Sequence, residues 1–330
     1  MVNLSVLDLS PIKEGGSARE ALQNSLGLAQ HAEALGYTRY WVAEHHNMRG
    51  IASAATSVVI GHIAGGTSTI RVGAGGIMLP NHAPLMIAEQ FGTLESLYPG
   101  RIDLGLGRAP GTDQLTAQAL RRTLAGSVDS FPQDVMELQA YLGEPQDGQR
   151  VLATPGTNTN VPLWILGSSL YGASLAAALG LPYAFASHFA PQAMEQAIAL
   201  YRERFKPSAQ LAEPYVMLGY NIVAADTDDE AQYLRSSAEQ AMLNLRRGMP
   251  GPLPPPVENF RASLGDMELR MLDDVARCAA VGTPSAVQSS LADFVAQTGA
   301  DEIMVVAQIF DHDARLKSYE LAASVLAEAA

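Results

Sequence analysis

Arg39-Tyr40-Trp41-Val42-Ala43 is a run of aromatic and β-branched residues that ends in the polar cluster Glu44-His45-His46-Asn47. Apolar residues at helical spacing follow over 52–64. A short strand leading through a polar turn into a helix is half of a βαβ unit. The same unit recurs outward in both directions. A strand over 2–9 precedes it, with a helix over 17–35 stopped at Gly36. After it come a strand over 70–72, a helix over 85–97 opened by Pro84, and a strand over 102–106. Strands over 163–166, 183–186, 216–224 and 302–306 continue the series, each followed by a helical pattern (170–179, 192–205, 230–247 and 316–327). Eight such units predict an α/β fold, a (β/α)8 TIM barrel, rather than an open doubly wound sheet. No compositional break interrupts them, so residues 1–330 are expected to form a single domain. Between the seventh and eighth strands, residues 248–257 contain five prolines. Such a segment is neither helix interior nor central strand; it reads as an insertion, either a surface connection or a lid.

Composition narrows the function. The chain has 330 residues, 21 Lys and Arg against 34 Asp and Glu, and a net charge of -13. So acidic a body repels phosphodiester backbones, and no nucleic-acid partner is expected. Lys13, Lys206 and Lys317 are too scattered for a basic membrane patch. No apolar run reaches the length of a membrane span, and residues 1–10 lack a positive leader region. The expected location is the cytoplasm. The one cysteine, Cys278, excludes a disulfide framework and a cysteine-based zinc site.

In a barrel, residues just after each strand line the site. Two imidazoles and a carboxylate in Glu44-His45-His46 need partners when buried. Consecutive side chains point opposite ways, so at most one histidine faces the mouth. That histidine suits acid–base work or donation to a developing anion; hydrogen bonding around a loop is the structural reading. A metal site is the third option, although His31, His62, His82, His188 and His312 show no ligand spacing. Gly73-Ala74-Gly75-Gly76 lets a flat ligand approach the backbone, or marks a bulge. Gly105-Leu106-Gly107-Arg108-Ala109-Pro110-Gly111 is not a dinucleotide fingerprint, because its third glycine comes late and Pro110 interrupts the turn. Arg108 suits an anion such as phosphate. Gly167-Ser168-Ser169, just before a helix, offers free N–H groups and two hydroxyls to the same anion.

These residues together resemble the bacterial luciferase-like family of flavin-dependent monooxygenases over nearly the whole chain. The carrying segments are 41–46, 71–80, 99–111 and 162–169, and the likeness is to its luciferase-like oxidoreductase branch, not to the light-emitting subunits. The resemblance implies reduced FMN at the C-terminal face of the barrel, supplied by a separate flavin reductase. It implies reaction with O2, through a C4a-peroxyflavin, to oxygenate a small organic substrate. It makes His45 the catalytic histidine and places Gly75 and Gly76, joined by a cis peptide, against the isoalloxazine. It makes Arg108, Ser168 and Ser169 the phosphate ligands, with Tyr171 and Gly172 beside them and Arg121 or Arg122 as a second phosphate charge; no metal is implied. It also implies a mobile loop at the Pro-rich segment and a homodimer formed through the helices after the second and third strands. Ala52, Ser53, Ala55, Ser57 and Gly61 are small enough for a partner helix to approach there. Gly107 stands where the light-emitting subunit has a reactive cysteine, and Pro110 and Gly111 change the substrate side, so neither light emission nor a long-chain aldehyde is implied. Alternatives are hydride transfer with the deazaflavin F420 on the same barrel, a non-catalytic flavin-binding protein, and a metal-dependent hydrolase.

Overall fold

The computed structural model describes residues 2–109, 114–120 and 130–327. Eight parallel strands close a ring: β1 (Asn3–Asp8), β2 (Arg39–Val42), β3 (Arg71–Met78), β4 (Ile102–Gly107), β5 (Leu163–Gly167), β6 (Tyr183–Phe185), β7 (Val216–Ala224) and β9 (Glu302–Val306), which pairs back onto β1. A ninth strand, β8 (Ala279–Gly282), pairs parallel to β7 outside the ring. This is the expected TIM barrel, with the excursion between the seventh and eighth ring strands.

Helices cover the outside: α1 (Ala18–Ala34), α2 (Thr56–Gly65), α3 (Pro84–Leu97), α4 (Gln114–Leu120), α5 (Phe131–Leu142), α6 (Leu170–Leu179), α7 (Met194–Arg204), α8 (Asp228–Arg246), α9 (Asp266–Ala276), α10 (Pro284–Thr298) and α11 (His312–Ala327). Local chemistry sets several starts. Ser17 and Thr227 accept hydrogen bonds from the amides of Glu20 and Glu230, capping α1 and α8. Proline occupies the first turn of α3, where its missing N–H costs nothing.

The structure departs from the sequence reading in three places. The third strand runs to Met78, well past residue 72, because its glycines lie within a bulged strand rather than in a turn. The stretch between β4 and β5 carries α4 and α5; Phe131, Val135, Leu138 and Leu142 form the buried stripe of α5. The insertion holds α9, β8 and α10, whose short strand and surface helices give weak periodicity. Within the insertion, the Pro-rich segment is pinned to the loop after β1. The amide of Leu253 donates to the Ile12 carbonyl and that of Glu14 to the Leu253 carbonyl, both at 2.8 Å, and Leu253 is buried.

The lower end of the barrel is filled by ions. Arg39 opens β2 and reaches Asp103 of β4 at 2.6 Å and Glu302 of β9 at 2.7 Å. Asp103 also pairs with Arg71 of β3 at 2.6 Å and accepts from the Trp41 indole. Glu302 accepts from the hydroxyls of Ser5 and Tyr215, and the Arg39 guanidinium lies 4.8 Å from the centre of the Trp164 ring. A second cluster ties β1 to its covering helices. Asp8 accepts from Ser25 of α1, Tyr40 of β2 and Arg315 of α11. Burial works against its charge, but Arg315 and the two hydroxyls outweigh it and hold the carboxyl below its ordinary value.

Replacing Asp103 by alanine leaves Arg39 with Glu302 as its one carboxylate partner among the described residues, and Arg71 with the backbone carbonyls of Gly100 and Ile102. Loss of one partner from a buried ion pair costs about 3–5 kcal/mol. Urea unfolding of Asp103→Ala is therefore expected to show that loss, and a change under about 1 kcal/mol would show that the cluster contributes little.

Candidate active site

The end of β2 is organised by one carboxylate. Glu44 is buried, and its Oε1 accepts from His46 Nε2 at 2.8 Å and His82 Nε2 at 2.9 Å. Its Oε2 accepts from the Met78 amide at 3.0 Å. Burial raises the cost of its charge, but these hydrogen bonds and the His82 charge outweigh it, and Glu44 titrates below its ordinary value. The ligand-type atoms of Glu44, His46 and His82 lie within 4.8 Å of one another, close enough for a cation. The hydrogen bonds already use both carboxylate oxygens, and they tie the end of β2 to the loop after β3. With His46 turned to Glu44, the alternation of the chain presents His45 to the cavity at the barrel mouth.

The β3 bulge supplies the next wall. Ala74 pairs with Leu104, but Ile77 pairs with Leu106, so β3 spends three residues where β4 spends two. Gly75 and Gly76 lie in that step, joined by a cis peptide. A Cβ on Gly76 would lie 2.7 Å from the Gly105 carbonyl oxygen, and one on Gly75 2.9 Å from Leu7 Cδ1. Side chains are excluded there, and bare backbone faces the cavity.

Beside this wall, on the next two strands of the ring, stand Arg108, just beyond β4, and the start of α6, which follows β5. The Arg108 guanidinium carbon lies 4.1 Å from the centre of the Tyr171 ring. Stacking engages the flat face of the group and leaves its in-plane N–H donors for an anion. Ser169 is the N-cap of α6, yet its side chain makes no capping hydrogen bond. The first-turn amides of α6 and the Ser169 hydroxyl are thus left to a ligand. Tyr183 donates to the Ser169 carbonyl at 3.1 Å and fixes the turn.

All eight residues singled out from the sequence border one cavity of about 950 Å3, at the large end for small-molecule sites. Arg121, Arg122, Pro110 and Gly111 lie outside the described residues. Ser53 and Gly61 face inward: Ser53 is buried and donates to the Ala43 carbonyl, and a Cβ on Gly61 would meet Leu94 at 3.4 Å. His188, which the sequence offered with His82 as a strand-end histidine that a barrel could gather at a metal site, lines the cavity after β6. Its Nδ1 is buried with no hydrogen-bond partner against Gly219 of β7, where a Cβ would come within 2.1 Å. Burial first, and then the charge of His45, push its pKa down to about 4. Its place shortly after a strand, shared with His82, was the available signal, and nothing local pointed to an unpartnered ring nitrogen.

The sequence profile of luciferase-like monooxygenases matches residues 2–302. A protein of Escherichia coli K12 named luciferase-like monooxygenase is 55% identical over 99% of this chain and 98% of its own. The N-acetyl-S-alkylcysteine monooxygenase of Bacillus subtilis 168 is 36% identical over 75% of each chain. The crystal structure of apo-MsnO8 superposes with a TM-score of 0.89 at 36% identity, covering 99% of both chains. The chain belongs to the luciferase-like monooxygenase family.

His188 gives the site a pH signature. Between its folded value of about 4 and the ordinary value near 6.5, the unfolded chain binds a proton that the folded chain does not. Its contribution to stability is therefore intact above pH 6.5 and falls as pH drops toward 4. Unfolding free energies at pH 7 and pH 5 should differ less in His188→Gln than in the parent; equal differences would show that another group titrates.

Proposed function

We propose that this chain is a cytoplasmic, FMN-dependent monooxygenase, a single-domain enzyme that uses reduced FMN from a separate reductase, together with O2, to oxygenate a small organic substrate. The observation that supports the reading is that a bare-glycine wall on β3, an arginine after β4 and an uncapped helix start after β5 border one cavity. These fit a flavin mononucleotide: an anion-binding end and a flat, side-chain-free surface. The B. subtilis relative named for N-acetyl-S-alkylcysteine supports a small organic substrate.

Arg108, Ser168, Ser169 and the first amides of α6 would hold the phosphate, with Tyr171 and Gly172 framing it. Gly75 and Gly76 would meet the flat ring system. His45 would hold or deliver a proton there, while Leu7, Leu9, Ala43 and Leu166 would exclude water. Bound reduced FMN supplies the electrons with which O2 is activated. A homodimer through α2 and α3 is supported by their exposed apolar side chains, Val58 (71% exposed) and Leu97 (63%), together with Met86.

Arg108→Ala should weaken FMN about tenfold or more while moving riboflavin little, the loss expected of one charge-assisted contact. Equal losses for the two flavins would show that Arg108 does not read the phosphate. After anaerobic mixing with the protein, reduced FMN should reoxidise more slowly on an oxygen pulse than free flavin. His45→Ala should keep FMN affinity and return reoxidation toward the free rate. A free-flavin rate in the parent, with tight F420 binding, would replace this reading by hydride transfer.

A further inference from the structure

The cavity does not end at the residues that would hold the flavin. It continues between α8, the Pro-rich segment, α9 and β8, where Met242, Leu245, Leu253, Leu272, Val275 and Val281 form an apolar lobe. One face of α8 borders this lobe, and Arg235 lies on it. The Arg235 side chain is only 16% exposed, and its Nε pairs with Glu239 at 2.8 Å. The same Glu239 oxygen is shared with Arg261 Nε at 2.9 Å, and Arg261 has a second acid, Asp273, at 2.8 Å. The two arginines are thus unequally served. Arg261 has two carboxylates, and Arg235 has part of one.

Among the described residues, no hydrogen bond is made by the two Nη groups of Arg235. A guanidinium so buried, with its outer fork unused beside a cavity, is matched by a planar anion that accepts two parallel N–H bonds. Burial, reinforced by the nearby Arg261 charge and only partly offset by Glu239 and Asp273, keeps Arg235 below the ordinary arginine value. A second anion beside it would relieve this imbalance. The charge of the cavity agrees. In a chain of net charge -13, its charged side chains among the described residues are Arg108, Arg235 and Arg246 against Glu239 alone. Arg108 is taken by the phosphate in the reading above. Arg246 stands at the rim, exposed, 5.0 Å from the centre of the Phe189 ring.

We propose that Arg235 is the specificity residue for an organic carboxylate, whose acid group sits in the α8–α9 lobe while its apolar remainder extends toward His45 and the glycine wall. This deepens the monooxygenase reading and rests on it for the chemistry, but not for the binding. The substrate is an amphiphilic monoanion, with Met242 and Leu245 of the lobe beside its acid end and apolar residues such as Leu9, Ala43 and Val306 along the rest of its carbon skeleton.

The test uses octanoate and 1-octanol, equal in chain length and different in charge, titrated calorimetrically into the full chain at pH 7.5. Octanoate is expected to bind at least about tenfold tighter than the alcohol, the discrimination of one charge-assisted pair. Arg235→Met should bring octanoate down to the affinity of the alcohol and leave the alcohol within about twofold. Equal affinities in the parent, no octanoate binding, or a preference that survives Arg235→Met would overturn the assignment. If Arg235→Met does not fold, Glu239→Gln keeps the arginine and removes the competing carboxylate. It should then tighten octanoate alone, and a failure to do so counts equally against the proposal. FMN quenching measured on the same samples reports on the flavin reading separately, so loss of either leaves the other standing.

Discussion

Two backbones come closer at β3 and β4 than side chains permit, and much of the site follows from that contact. Gly76 faces the carbonyl of Gly105, and Gly105 in turn faces that of Ala74, where a Cβ would lie 2.3 Å from the oxygen. Neither strand tolerates a larger residue there without moving the other. The extra residue of the bulge is accommodated where the wall is bare, and bulges beside active sites commonly re-aim a strand in this way. Glu44 completes the arrangement from the neighbouring strand. By accepting the Met78 amide and two imidazoles, it fixes where β3 leaves the barrel and which histidine of the pair is left to the cavity.

The barrel divides its polar chemistry by depth. At the lower end, Arg39, Asp103, Glu302 and Arg71 are mutually satisfied, so their charges serve closure of the ring. Between that floor and the mouth lies a small apolar layer in which Trp41 and Trp164 meet edge to face at 5.1 Å. At the mouth the polar groups change character. Among the described residues, Arg108 stacks on Tyr171, the Ser169 side chain does not cap α6, His188 Nδ1 has no hydrogen-bond partner, and Arg235 shares one carboxylate oxygen with Arg261. Polar groups left open to a cavity are available to a ligand that enters it.

Legibility in the sequence followed the range of the interactions. Ring strands were readable because each is a short apolar run followed by an amphipathic helix. Arg108, Ser168 and Ser169 were readable because a charged or hydroxylated residue beside a glycine at a strand end has a local reason to be there. The α5 stripe at Phe131, Val135, Leu138 and Leu142 was hidden by polar and proline-rich flanks, although its spacing is regular. The short β8 offered four small or β-branched residues and no alternation. His188 and Arg235 were beyond reach for another reason. What distinguishes them is a missing partner in space, and no window of neighbouring residues records that.

The Pro-rich segment is hydrogen-bonded to α8 at both of its ends and meets the loop after β1 through few contacts. Proline has no amide hydrogen, so five of its ten residues cannot donate to any neighbouring strand. What ties it to the loop after β1 is the pair of backbone hydrogen bonds at Leu253, the buried Leu253 side chain, and a close approach at Gly50, where a Cβ would lie 2.1 Å from the Gly251 oxygen. Two hydrogen bonds at about 1 kcal/mol each and one leucine at about 1.5–3 kcal/mol set the scale of the work needed to part that side of the mouth. That work is small beside the disruption of a barrel strand. Leu253 thus carries much of what joins the Pro-rich segment to the loop after β1, on the rim of a cavity whose glycine wall belongs to a barrel strand.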